Sequence, residues 1–139
     1  TYQALTKRSS RLRKIADSLD WPPNLWMGVS VENSDTLFRV GDLRAVPAAV
    51  RFLSCEPLLG PLEGLDLGGI GWVIAGGESG PSRRPLNPEW VTGIRDCCLT
   101  ANVPFFFKQW GGKTPKAGGR ELDGRYWDQM PISATPAAS

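Results

Sequence analysis

The sequence predicts an α/β fold: a partial (β/α) barrel of about five parallel strands. Three observations carry this. Five short segments rich in aromatic and β-branched residues recur along the chain: Tyr2–Thr6, Trp26–Val31, Val50–Ser54, Trp72–Ala75 and Val103–Phe107. Their starts at residues 2, 26, 50, 72 and 103 are 24, 24, 22 and 31 residues apart. Those steps are too long for hairpins and suit the crossover that a parallel return requires. Polar or charged residues also follow every one of the five segments.

The first crossover carries Leu12, Ile15, Ala16 and Leu19 at the i, i+3, i+4, i+7 spacing of an amphipathic helix. Ser9 or Ser10 can cap its start, and Trp21-Pro22-Pro23 ends it. The second crossover offers Asp35 as a cap for a helix through Leu43, with Gly41 weakening it by about 1 kcal/mol. The third, Leu58 to Gly71, contains Gly60, Pro61, Gly64, Gly68 and Gly69 and has room for one turn. The fourth has the strongest helix signal. Asn87-Pro88-Glu89 gives an N-cap, a proline in the first turn and an acid beside it, ahead of an apolar face on Val91, Ile94, Cys98 and Ala101. Residues 1–112 are thus expected to hold the partial barrel. Residues 113–139 form a glycine-rich loop and tail, loosest over Pro131–Ser139.

Composition sets the limits. At 139 residues the chain suits one domain, and a complete eight-stranded barrel needs about 250. A partial barrel, or an open doubly wound sheet, both fit the spacing. A net charge of +2 is too mild to imply nucleic acid by itself. Histidine is absent, which removes His-based triads and most zinc sites. Cys55, Cys97 and Cys98 make no disulfide framework, and no apolar run approaches a membrane span. A cytoplasmic protein that makes no membrane contact is the expectation. The chain opens on Thr1 and enters a strand at once, as a processed product, an excised piece or the back half of something larger would. An isolated partial barrel leaves two strand edges bare, so a partner segment or a homodimer is expected to cover one.

Ligands of parallel α/β folds bind where the loops converge at the carboxyl ends of the strands. The residues there are Lys7-Arg8, Glu32-Asn33, Cys55-Glu56, Gly76-Gly77-Glu78-Ser79-Gly80 and Lys108-Gln109-Trp110. Carboxylates and cations on one rim suit a zwitterionic or phosphate-bearing ligand, although surface loops are polar in most proteins. The glycines of 76–80 let a backbone approach a ligand or make a tight turn. They match neither a dinucleotide fingerprint nor a P-loop. Arg83 and Arg84 can clamp a phosphate or remain solvated. Cys55 reads as a small hydrophobe more readily than as a nucleophile, because no histidine can activate it. No metal site is expected from these residues. Trp110 and Trp127 can cover an edge or stack on a base.

Six blocks occur in a recognisable order: Leu5-Thr6-Lys7-Arg8, Gly28-Val29-Ser30-Val31-Glu32-Asn33, Arg51-Phe52-Leu53-Ser54-Cys55-Glu56-Pro57-Leu58, Gly76-Gly77-Glu78-Ser79-Gly80, Phe105-Phe106-Phe107-Lys108-Gln109-Trp110-Gly111 and Leu122-Asp123-Gly124-Arg125-Tyr126-Trp127-Asp128. Together they resemble a phage-associated bacterial family of unknown function with a radical-SAM-like fold. The resemblance implies the C-terminal half of such a barrel. It also implies an adenosyl and substrate pocket for S-adenosylmethionine, with a [4Fe–4S] centre carried by an N-terminal half or a separate cluster-bearing chain. By position it assigns Glu32, Asn33, Gly76, Gly77 and Glu78 to the cofactor side. Lys7, Arg8, Glu56, Lys108, Gln109 and Trp110 fall on the substrate side, and Glu78 suits substrate as well. The cluster cysteines of that family have no counterpart here, so the chain alone is expected to hold no cofactor and to perform no radical chemistry. The alternatives are a non-catalytic nucleotide or nucleic-acid binding module, a degenerate phage-derived remnant, and a metal-independent hydrolase built on Cys55 and Glu56.

Overall fold

The computed structural model describes residues 1–132. Its five main strands are β1 (Tyr2–Thr6), β2 (Leu25–Ser30), β3 (Val50–Cys55), β4 (Trp72–Ala75) and β5 (Phe105–Phe107). All four neighbouring pairs are parallel, and the strands lie side by side in chain order. A doubly wound sheet reverses its strand order at a switch point. This one does not, so the singly wound, barrel-like alternative is the one realised.

The helices are α1 (Ser9–Ile15), α2 (Phe38–Arg44) and α3 (Pro88–Ala101). They pack on one face of the sheet, where Leu12, Leu43, Val91, Ile94 and Cys98 meet Val29, Leu53, Val73, Phe105 and Phe107 in the main core. Asn87 caps α3 by accepting from the Glu89 amide at 2.9 Å, and Asn102 ends it in the left-handed conformation with φ 55°. Both features follow from the sequence chemistry.

Two local expectations are corrected. No serine caps α1; Ser9 is its first residue, and its hydroxyl donates to Asp42 Oδ2 at 2.7 Å, tying α1 to α2. In the second crossover Asn33, not Asp35, is the cap. It accepts from the Asp35 amide at 3.1 Å and starts a 3₁₀ turn over Ser34–Thr36, so α2 begins only at Phe38. The third crossover has no helix. Arginine side chains brace it instead: Arg44 Nε donates to the Gly68 carbonyl at 2.7 Å and Arg51 Nη1 to that of Gly69 at 3.2 Å.

The two sheet edges differ. Beyond β5 the chain forms a hairpin of β6 (Glu121–Leu122) and β7 (Arg125–Tyr126), turned by Asp123 and Gly124 with φ 49° and 77°. Positive φ at both turn positions is the geometry Asp-Gly favours. The segment then runs antiparallel along β5, with the Phe107 amide donating to the Trp127 carbonyl at 2.7 Å and the Gln129 amide to that of Phe105 at 3.2 Å. Leu122 and Trp127 are buried in the main core. Residues 113–132 are therefore more than loop, and 133–139 of the expected tail lie outside the described residues. The chain itself covers the β5 edge. The β1 edge stands open, with Tyr2 and Leu5 exposed. Among the described residues no helix is long and apolar enough to cross a membrane.

Among the described residues no helix residue joins the apolar cluster on the opposite face, the concave one of a barrel-like sheet. There Trp26, Phe52 and Trp72 are buried against one another, the two tryptophan rings meeting edge to face at 5.7 Å. Phe52 lies opposite Gly28 in the register, and a Cβ at Gly28 would collide with the Phe52 ring. Glycine there makes room for the aromatic floor. Gly28→Ala should lower unfolding free energy by about 1–3 kcal/mol through overpacking, and Phe52→Leu in the same chain should return part of it. Urea unfolding of the single and double variants checks both.

Candidate functional site

Side chains alternate across a strand, so the register decides which residues share the concave face. On β2 they are Trp26, Gly28 and Ser30, on β3 Val50, Phe52 and Ser54, and on β4 Trp72 and Ile74, with Phe106 on β5. One step further along each strand come Glu32, Glu56, Gly76 and Lys108. Lys7 joins them from the end of β1. The face thus rises from an aromatic floor through the buried Ser30 and Ser54 hydroxyls to a charged rim.

Two ion-paired carboxylates, Glu32 and Glu56, organise that rim. Glu32, only 8% exposed, has Lys7 Nζ 3.1 Å from Oε1 and Arg39 Nη1 3.3 Å from Oε2. Arg39 is locked in turn by donating to the Ser30 carbonyl at 2.8 Å. The Lys7 contact is ionic but lacks hydrogen-bond direction, so Glu32 Oε1 is a buried acceptor without a hydrogen-bond partner. Such an acceptor favours a ligand that brings a donor. In the second pair, Lys108 Nζ stands 3.2 Å from Glu56 Oε2, while Ser54 donates to Oε1 at 3.3 Å. Gly76 lies between them. A Cβ there would sit in ordinary contact, 3.5 Å from both Glu56 Oε2 and Lys108 Cβ, so the position borders the pair without having to be glycine.

The other sequence candidates are placed elsewhere or occupied. Asn33 spends its carbonyl oxygen on the cap described above. Arg8 is the residue preceding α1, its amide bonded to Thr6 Oγ1 at 3.0 Å. Gly77 donates its amide to the Gln109 carbonyl at 2.9 Å, and Gln109 Nε2 returns a bond to the Gly77 carbonyl at 3.2 Å. Added Cβ atoms at Gly77 and Gly111 would strike the Trp110 and Glu78 carbonyls. These glycines let two loops of the chain interlock. Glu78 faces Arg84, which gives it a two-pronged side-chain contact at 2.9 Å and its own amide at 2.9 Å. Arg83 donates to the Gly80 carbonyl. Trp110 packs on Phe107 with ring centroids 4.8 Å apart, and Trp127 is buried, so both tryptophans are engaged within the fold.

The three thiols point to packing. Cys55 is fully buried on the helix-covered face, and burial, reinforced by the nearby Cys98, Glu56 and Glu32, pushes its pKa far above the ordinary thiol range. Burial, with Cys97 beside it, pushes Cys98 up to about 12. Among the described residues no three potential ligands gather to hold a metal. The cysteines therefore do not fit a [4Fe–4S] centre.

The family model for DUF5131, proteins of unknown function, matches residues 1–131. The chain belongs to the DUF5131 family. No curated protein and no solved structure matches it. Two side chains near the rim of this DUF5131 chain escape a sequence reading. Arg39 lies seven positions from Glu32 across a cap and carries no motif. Arg120 sits in the glycine-rich region and reaches the site only because the chain returns along β5.

Two outcomes follow from this chemistry. Arg84 holds the Glu78 carboxyl at about 2, below its usual 4.5. A depressed carboxylate stabilises the fold fully above its unfolded value and loses that contribution as pH falls through about 2. Arg84→Met should return the Glu78 titration toward 4.5, read by NMR of the side-chain carboxyl. The native protein at pH 8 should show at most one fast-reacting thiol, Cys97, and all three once unfolded. Rapid labelling of Cys55 in the native state would contradict its placement.

Proposed function

We propose that this DUF5131 chain forms the ligand-facing wall of a radical-SAM-like barrel and binds a zwitterionic nucleoside of the S-adenosylmethionine class on its concave face. One observation carries the reading: Lys7, Glu32, Glu56 and Lys108, from the ends of four different strands, lie at one rim above an apolar cluster to which, among the described residues, no helix contributes. The acids can accept from an ammonium group and ribose hydroxyls, and the lysines can meet a carboxylate. Glu32 Oε1, buried and without a directional donor, is the strongest single anchor.

When bound, S-adenosylmethionine supplies the sulfonium centre. The chain's residues bind and orient the ligand, and the aromatic floor keeps water from one side of it. Cluster chemistry falls to a separate cysteine-bearing segment, and the open β1 edge offers that segment a strand to pair with. The resemblance in sequence blocks supports the phage-associated, radical-SAM-like relationship, and the singly wound parallel sheet is compatible with it.

Titration of the full chain with S-adenosylmethionine, followed by NMR, should shift signals at Glu32, Glu56, Lys7 and Lys108. Glu56→Gln should weaken binding about tenfold, by loss of a charge-assisted contact. Wild-type signals that stay unmoved to millimolar ligand, or equal affinity in the Glu32→Gln/Glu56→Gln double variant, would remove the reading.

A further inference from the structure

A second cluster of cations lies beside the rim. Lys108, Gln109, Pro115, Lys116, Gly119 and Arg120 line a pocket of about 330 Å³. Arg120 reaches it from the returning C-terminal segment, its guanidinium 5.5 Å from the Phe106 ring centroid and 4.9 Å from that of Tyr126. The rings hold the cation but offer its N–H groups no conventional acceptor. Arg120 Nε and Nη2 are both buried without a hydrogen-bond partner among the described residues. A guanidinium is a five-donor fork suited to planar or tetrahedral oxyanions, and the two buried nitrogens carry three of those donors.

The backbone that carries the exposed Lys116 side chain is held in place. The loop bearing it is closed by bonds from the Ala117 amide to the Thr114 carbonyl, the Gly119 amide to the Lys116 carbonyl and the Trp110 amide to the Gly119 carbonyl. It is pinned at Gly118, where a Cβ would collide with the Gly111 carbonyl. The wall therefore carries three cations, of which, among the described residues, Lys108 alone has a carboxylate partner, Glu56. A net of two uncompensated positive charges matches a phosphomonoester, which carries about −1.5 to −2 at pH 7, better than a diester with one.

We propose that Lys108, Lys116 and Arg120 form a binding site for the dianionic phosphate of a small phosphomonoester. The site shares Lys108 with the reading above but stands on Lys116 and Arg120, which that reading does not use. Gln109, tied to the Gly77 carbonyl, acts as wall.

Inorganic phosphate is the probe, titrated into the full-length chain at constant ionic strength and followed by NMR. Saturable shifts should appear at Lys108, Lys116 and Arg120, and affinity should fall severalfold from pH 8 to pH 5.5 as the dianion is protonated. Arg120→Met, with a thermal melt as folding control, should weaken phosphate at least about tenfold. Lys116→Met sits on a surface loop, tests the same site without touching the core, and should weaken it about threefold. Non-saturable shifts, a response that chloride reproduces, or unchanged affinity in both variants would overturn the proposal. So would a single-stranded oligonucleotide that outcompetes phosphate in proportion to its length, since that marks a backbone-tracking surface. Phosphate saturation together with silence toward S-adenosylmethionine would remove the earlier reading and leave this site standing.

Discussion

Everything functional in this molecule depends on one constraint, the twofold alternation of side chains along a parallel strand. Among the described residues helices pack on only one face of the five-stranded sheet, so each strand sends half its residues into that core and half onto the concave face. Leu53 and Cys55 go one way, and Phe52, Ser54 and Glu56 the other. A slip of one residue in register would bury Glu32 and Glu56 beneath the helices and expose Val31 and Cys55. The register is therefore held by the main core on one side and by the Trp26–Phe52–Trp72 floor on the other.

Charge on the rim is confined by pairing. Glu32 is shared between a long, exposed lysine and an arginine whose own position is set by a backbone carbonyl. Glu56 and Lys108 pair at 3.2 Å beside Gly76. Exposed pairs are worth little on their own, about 0–1 kcal/mol. The partly buried Glu32 arrangement matters more, because it leaves one carboxylate oxygen with an ionic neighbour and no directional donor. That is a poor way to stabilise a fold and a serviceable way to hold a ligand.

Glycine has two separate uses here. At Gly28 it clears the concave face for an aromatic ring. At Gly77, Gly111 and Gly118 it lets the loops after β4 and β5 press backbone to backbone. The run from Gly76 to Gly80 looks like a ligand cradle in one dimension. In three, its second glycine is filled by the chain's own Trp110 carbonyl, and its glutamate is held by Arg84. Local sequence cannot separate these cases, because a close approach by self and a close approach by a ligand make the same demand on the backbone.

The parallel strands, their spacing, the cap of α3 and the polar strand ends were legible from residue pattern alone, since each rests on local chemistry: β-branched runs, Asn-Pro-Glu, strand–loop boundaries. Strand order, the bare β1 edge and the self-covered β5 edge were not, because they depend on contacts between segments far apart in the chain. The same holds for Arg39 beside Glu32, and for Arg120 carried to Phe106 by a hairpin more than a dozen residues beyond that strand. Sequence by itself determined which groups stand at the strand ends, as alternation and loop position are local properties. Only the tertiary structure decided which of them face one another, as that is set by the register of neighbouring strands and the path of the returning chain.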